Sequence, residues 1–100
     1  MVELKVSADD DVMYLFERVV KHLQASYRYS SDEAIQLVND YFASFTSPTF
    51  CYEYAIPVQD DDFFCHIEAL GMADRVQYYQ GLKKLPDERA FIDWQRSVRA

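Results

Sequence analysis

Apolar residues recur at three- and four-residue steps along Val12, Leu15, Phe16, Val19, Val20, Leu23 and Tyr27, which places them on one face of an amphipathic helix of about twenty residues. Its start is expected at Ser7, with Asp10 three residues on in a capping-box-like spacing. Asp9 and Asp11 then fall where the helix dipole favours negative charge. Ser30-Ser31-Asp32-Glu33 is a second start signal, because the Ser30 hydroxyl can cap while Glu33 reaches back to its amide. Ala34, Ile35, Leu37, Val38, Tyr41, Phe42 and Phe45 supply the apolar face that follows. Thr46-Ser47-Pro48 ends it, since proline disfavours helical geometry in the residue before it.

The period then changes. Phe50, Tyr52, Tyr54, Ile56 and Val58 alternate with Cys51, Glu53, Ala55 and Pro57, the period of two of a strand, and the other alternating stretch is Val2, Leu4, Val6. A short two-stranded pairing and an extended aromatic connector over the helices both fit. Asp60-Asp61-Asp62 opens a third helical region through Phe63, Phe64, Ile67 and Leu70, continued by Met72, Val76 and Tyr79 beyond a kink or break at Gly71, with Gly81 as a stop. Pro86 precedes or opens a last helix striped by Ala90, Phe91, Trp94 and Val98. The expected fold is mainly α: a single domain over residues 1–100, a small bundle of about four helices with a short extended or two-stranded segment at 50–58.

Composition supports that expectation. Half of the 100 residues are hydrophobic and sixteen are aromatic, too apolar for disorder, and two glycines with three prolines disfavour loop-rich folds. No apolar run approaches the ~20 residues of a membrane-spanning helix. Met1-Val2-Glu3-Leu4-Lys5 lacks the basic and apolar regions of a signal peptide, so a cytoplasmic location is expected. In that compartment Cys51 and Cys65 are expected to be free, buried thiols.

Charge changes the picture further. Between Arg28 and Arg75 there is no lysine or arginine, while the stretch holds nine carboxylates: Asp32, Glu33, Asp40, Glu53, Asp60, Asp61, Asp62, Glu68 and Asp74. Residues 1–28 sum to −1, residues 29–74 to −9 and residues 75–100 to +3, giving the net −7. Such a field attracts basic molecules and repels nucleic acid. Either the basic C-terminal part folds back onto the acidic middle, or the surplus faces outward.

Catalytic and metal chemistry find little support. Cys65-His66 is a lone near pair, whereas a zinc site usually needs two, and adjacent helical residues diverge by about 100°. Neither cysteine has the electropositive surroundings that activate a thiol. With two glycines there is no P-loop, G-x-G-x-x-G or G-x-S-x-G. Asp60–Asp62 reads more readily as helix-start charge than as an acid–base pair. No enzyme activity, metal or cofactor is expected, and no nucleic-acid or membrane partner.

Recognition of a protein remains. Tyr52 and Tyr54 flank Glu53, with Asp60, Asp61 and Asp62 behind and Asp32, Glu33 and Asp40 before. Tyrosine is enriched at binding hot spots, and peripheral carboxylates raise the rate of encounter with a basic partner. If Tyr52 and Tyr54 instead lie on the buried side of a strand, they are core residues.

Ser30-Ser31-Asp32-Glu33-Ala34-Ile35-Gln36-Leu37-Val38, Tyr52-Glu53-Tyr54-Ala55-Ile56-Pro57 and Asp93-Trp94-Gln95-Arg96 resemble, in order, the acidic second helix, the tyrosine-bearing turn and the final helix of colicin nuclease immunity proteins. Those are small acidic four-helix proteins that hold a cytotoxic nuclease inactive, with two adjacent tyrosines on a very short third helix. In this chain Glu53 separates the tyrosines, and residues 59–82 have no counterpart. The resemblance implies contacts from Asp32, Glu33, Leu37, Val38 and Asp40, with Tyr52 and Tyr54 as aromatic anchors. The expected function is therefore a non-catalytic inhibitor that binds and blocks a basic partner, such as a bacterial toxin or nucleic-acid-handling enzyme. The alternative is a structural or assembly protein, a homodimer formed through surplus aromatic surface.

Overall fold

Asp9, rather than Ser7, starts helix α1 (Asp10–Tyr27), because its carboxylate accepts the amides of both Asp11 and Val12 at 2.9 and 3.1 Å. Ser7 is used elsewhere: its hydroxyl donates to Asp61 and accepts from the Asp9 amide. Six of the seven residues of the apolar stripe, Val12 through Leu23, are buried, and Tyr27 packs against the core with its hydroxyl turned to Asp74. The helix ends on Arg28 in the left-handed region, φ 60°, with its amide bonded to the Gln24 carbonyl. Helix α2 (Ser31–Phe45) opens with the expected capping box between Ser30 and Glu33. It buries Ala34, Val38, Tyr41 and Phe45.

The computed structural model describes residues 2–99, in which six helices and no strand form. Four of these helices have eight residues or more; the two short ones occupy the stretch where alternation suggests a strand and the start of the third helical region. Residues 48–53 are helix α3 (Pro48–Glu53), and residues 56–60 follow as irregular backbone. The period of two loses to a strong local start: Ser47 accepts the Phe50 amide, and Pro48 sits at the first helical position, where its missing N–H has no cost. The Val2–Val6 stretch pairs with no strand. It lies along α2, where the Asn39 side chain accepts the Lys5 amide at 2.6 Å and donates to the Glu3 carbonyl at 2.8 Å, as a strand partner would.

Asp60 caps helix α4 (Asp61–Cys65) through the Phe63 amide, as expected. The break comes at residues 66–68, before Gly71, and helix α5 (Ala69–Val76) begins after it. Continuing α4 would set Glu68 and Gly71 four and seven residues after buried Phe64, on the same stripe, leaving a charge and a gap facing the core. With the break, Glu68 is exposed and Ala69, Met72, Ala73 and Val76 are buried. A π-helical turn, Gln77–Gly81, extends α5 and ends at Gly81, closed by the Leu82 amide on the Gln77 carbonyl. Helix α6 (Glu88–Arg99) follows a connection through Pro86, with Asp87 accepting the Ala90 amide. Of its expected stripe only Phe91 is buried; Trp94 packs at the margin and Val98 faces solvent.

One apolar cluster joins α1, α2, α4, α5 and Phe91 of α6. Aromatic rings run through it in contact: Phe16 meets Phe64 and Phe42 edge-on, Tyr41 stacks on Phe45, and Phe45 reaches both Phe50 and Tyr79.

Candidate functional site

Helix α3 and the return segment 56–60 stand at the C-terminal end of α2, held there by backbone as well as rings. The Gln59 amide donates to the Phe45 carbonyl, the Ile56 amide to the Cys51 carbonyl, and the buried Tyr41 hydroxyl donates to Gln59 Oε1 at 2.7 Å. Burial lifts the Tyr41 hydroxyl well above the usual tyrosine range, so it stays a neutral donor. This scaffold presents Tyr52 with 89% of its surface in solvent, beside exposed Glu53. Tyr54, at the helix end, keeps its ring on Phe50 at 4.8 Å and is partly exposed. Neither tyrosine is the buried core residue that a strand would have made of it.

All the candidate carboxylates are exposed, but their local duties differ. Glu33 is held below the ordinary carboxylate range by the Ser30 amide and hydroxyl. Asp32 accepts from the Val2 amide, Asp40 from Gln36, Asp60 from the Phe63 amide and Asp61 from Ser7. Asp62 lies 3.7 Å from His66, four residues on. Asp32 and Glu33 occupy the first turn of α2, a helix about 22 Å long, so they are remote from α3 and α4. At the far end, Tyr52 and Glu53 on α3 and Tyr54 at its close follow directly on α2, while Asp60, Asp61 and Asp62 border a depression with Phe42 and Thr46; Asp40 stands on the last turns of α2 itself. Val38 is wholly buried and makes no surface, contrary to the role that the resemblance implies. Leu37 packs against the core.

The basic C-terminal part does little to neutralise this surface. Among the described residues, Asp74 alone of the nine carboxylates bonds an arginine, Arg99. Arg75, the other paired arginine, makes a bidentate bond to Glu88 at 2.7 and 2.5 Å and lies over the Phe91 ring. Its charge is thus balanced within the C-terminal part.

Asp74 is the charge that local pattern does not reveal. Its side chain is 1% exposed and accepts from Tyr27 Oη, Gln95 Nε2, Arg99 Nε and Arg99 Nη2. Burial pushes its pKa up, but these four donors outweigh burial and hold it below the ordinary range. Asp74 therefore ties α6 to α1 and α5 instead of adding to the outer field.

Beside the α3–α4 surface is a cleft of about 290 Å³. Buried Phe45 and Tyr79 and half-buried Phe63 line its inner side, and Ile56, Pro57 and Val58 form a wall. Arg75, Asp87 and Glu88 close the other side. Burial, then Glu88, pushes the Tyr79 hydroxyl up to about 12, so it stays protonated at neutral pH. The alternating apolar residues Ile56 and Val58 are a signal for this cleft, as is Arg75 standing within the stripe of Met72, Val76 and Tyr79.

Cys51 is buried with its thiol toward the Phe45 carbonyl, and Cys65, expected to be buried, is exposed. Partial desolvation and the carboxylates of Asp9, Asp11, Asp61 and Asp62 push the Cys65 thiol upward, toward the unreactive form. Among the described residues no three histidine, cysteine or acidic side chains gather as a metal site, and no helix is long and apolar enough to cross a membrane. No family model, curated protein or solved structure matches the chain.

Proposed function

We propose that this chain is a non-catalytic acidic binding module that docks on and blocks a basic protein, in the manner of an immunity or antitoxin-like inhibitor of a bacterial toxin or nucleic-acid-handling enzyme. The observation that carries the reading is Tyr52, a ring 89% exposed on a short, well-capped helix beside Glu53, on a chain whose carboxylates Asp40, Glu53 and Asp60–Asp62 form no ion pair with a lysine or arginine among the described residues. A rigid amphipathic ring offers contact area at low entropic cost, and the surrounding charge steers a basic partner and occupies the place of its anionic substrate. An acidic second helix followed by a short third helix bearing tyrosine also supports the immunity-like form of the reading. The homodimer alternative has less to motivate it, since the core takes up most of the sixteen aromatics and leaves Tyr14, Tyr52 and Tyr54 as the exposed rings.

Affinity capture from bacterial lysate with the wild type and a Tyr52→Ala/Glu53→Gln variant tests it. The expected result is a basic protein retained by the wild type at low salt and lost by the variant, whose association rate falls tenfold or more between about 50 and 500 mM salt. An acidic partner, or an association rate indifferent to salt, sinks the reading.

A further inference from the structure

The cleft between residues 56–59 and the start of α6 has features that a purely electrostatic surface does not need. At about 290 Å³ it falls just below the ~300–1,000 Å³ usual for small-molecule sites, a size suited to one large side chain. Its lining is mostly apolar, and Val58 at its mouth is 44% exposed. Across Val58 and Gln59 it adjoins a second, shallower depression of about 450 Å³, lined by Phe42, Thr46 and the carboxylates Asp60, Asp61 and Asp62. Asp87 adds a carboxylate on the opposite rim. Arg75, the one cation in the lining, is already matched by Glu88 and covered by its contact with Phe91. An apolar slot is thus flanked by negative charge on two sides.

We infer that this cleft seats one apolar side chain of a basic polypeptide, with lysines or arginines beside that side chain reaching Asp60–Asp62 on one rim and Asp87 on the other. The inference rests on the proposed function, naming the feature that its basic partner must carry. Charge complementarity selects this occupant over an uncharged ligand. The apolar slot gives the acidic surface a discrimination that charge alone cannot, since any basic protein satisfies a field but only one with a protruding apolar residue fills the slot.

The full chain, labelled with ¹⁵N, is titrated at low salt with three peptides: Lys-Lys-Gly-Phe-Gly-Lys-Lys, the same peptide with alanine for phenylalanine, and the same with glutamine for every lysine. The first is expected to shift the amides of Val58, Gln59, Phe63 and Tyr79 and to bind about tenfold or more tighter than the alanine peptide, the ratio that burial of the ring implies. The glutamine peptide should bind about tenfold more weakly than the first. Val58→Arg, at an exposed position, should abolish these shifts while keeping the melting temperature. If that variant fails to fold, Asp62→Asn, whose side chain is 88% exposed, should weaken the lysine peptide and leave the glutamine peptide unchanged.

Equal binding of the phenylalanine and alanine peptides, with shifts confined to the region of Tyr52 and Glu53, overturns the cleft and leaves the acidic binding surface standing. Equal binding of the lysine and glutamine peptides overturns the basic occupant. Cleft shifts that appear on concentrating the protein without peptide make a second copy the occupant and overturn the inference. No shifts with any peptide at about millimolar concentration overturn the cleft inference, while the wider reading is decided separately by the capture experiment and its salt dependence.

Discussion

Helices α1 and α6 both carry apolar stripes, yet different forces hold them. Helix α1 buries six side chains, and its contacts with α2, α4 and α5 are interdigitated apolar surfaces, strengthened by the edge-on meeting of Phe16 with Phe42 and Phe64. Helix α6 fully buries Phe91 alone, with Ala90 and Trp94 packed at the core margin, and is further fastened by Arg75–Glu88 at its start and by Gln95 and Arg99 on Asp74 near its end. Apolar burial is indifferent to pH and strengthens with many salts, whereas ion pairs respond to both. The difference teaches that α6, which forms one side of the cleft, is the element most sensitive to solution conditions.

The comparison is broken most directly by removing one ring from each region. Phe16 and Phe91 are almost equally buried, and truncation of such a residue typically costs about 3–5 kcal/mol. Phe16→Ala should take that from global stability, a large part of the ~5–15 kcal/mol available to a domain, and lower hydrogen-exchange protection throughout. Phe91→Ala should instead reduce protection mainly in residues 88–99, with α1 protected nearly as before. If the two variants lose protection in α1 equally, α6 belongs to the same cooperative unit and the contrast is wrong.

A smaller effect sharpens the same contrast through pH. Asp74→Asn keeps the shape of the side chain but presents an amide to donors that a carboxylate accepts, leaving Tyr27, Gln95 and Arg99 poorly paired. Complete loss of a buried pair costs about 3–5 kcal/mol, but Arg99 can turn to water, so about 2 kcal/mol is expected. Because the native Asp74 pKa lies below its unfolded value, its stabilisation is fully present above ~3.9 and is lost as pH falls through the native pKa. The wild type should therefore lose melting temperature on acidification below about pH 4, followed by circular dichroism. The variant should lose less, with Glu33 responsible for part of the slope that remains. Parallel acid limbs in the two proteins would show that the Asp74 network does not fasten α6.

Much of the α1 side was legible because its information is local. A three–four spacing names the buried face of α1, Ser30 and Glu33 name the start of α2, and Asp60 the start of α4. Helix α3 was obscured because six residues of helix are too few to display a period, while the alternation of Phe50 through Val58 imitates a strand. The Ser47-Pro48 start signal was present and outweighed that alternation. The site was partly legible: Tyr52, Glu53 and Asp60–Asp62 do share one end of α2, but Asp32 and Glu33 stand at the other. Of the cleft, Ile56, Val58 and Arg75 leave only partial signals, and the Asp74 network leaves none, because Phe45, Val58, Arg75 and Glu88, or Tyr27, Asp74 and Arg99, meet only after the chain has folded. In sequence Asp74 is indistinguishable from the outward carboxylates around it.

The two glycines test the contrast at its smallest scale. Gly71 lies within α5, where a methyl group added to it would meet nothing within 4 Å. Gly71→Ala should stabilise the protein by about 0.5–1 kcal/mol, because alanine loses less backbone freedom on folding and no neighbour must move. Gly81 closes the π-helical turn that leads toward α6. A methyl there would stand 2.7 Å from the Tyr29 hydroxyl and 2.9 Å from Gln77 Cδ, between two groups that share a 2.6 Å hydrogen bond. Gly81→Ala should cost about 1 kcal/mol, the net worth of that bond, since the ends of both side chains can shift but Gln77 is buried. Opposite signs in urea unfolding would place the glycine requirement at the junction with α6 and not in the packed helix. If both substitutions stabilise, the π-helical turn tolerates rearrangement, and α6 is attached by its ion pairs and Phe91 without help from the geometry of the turn.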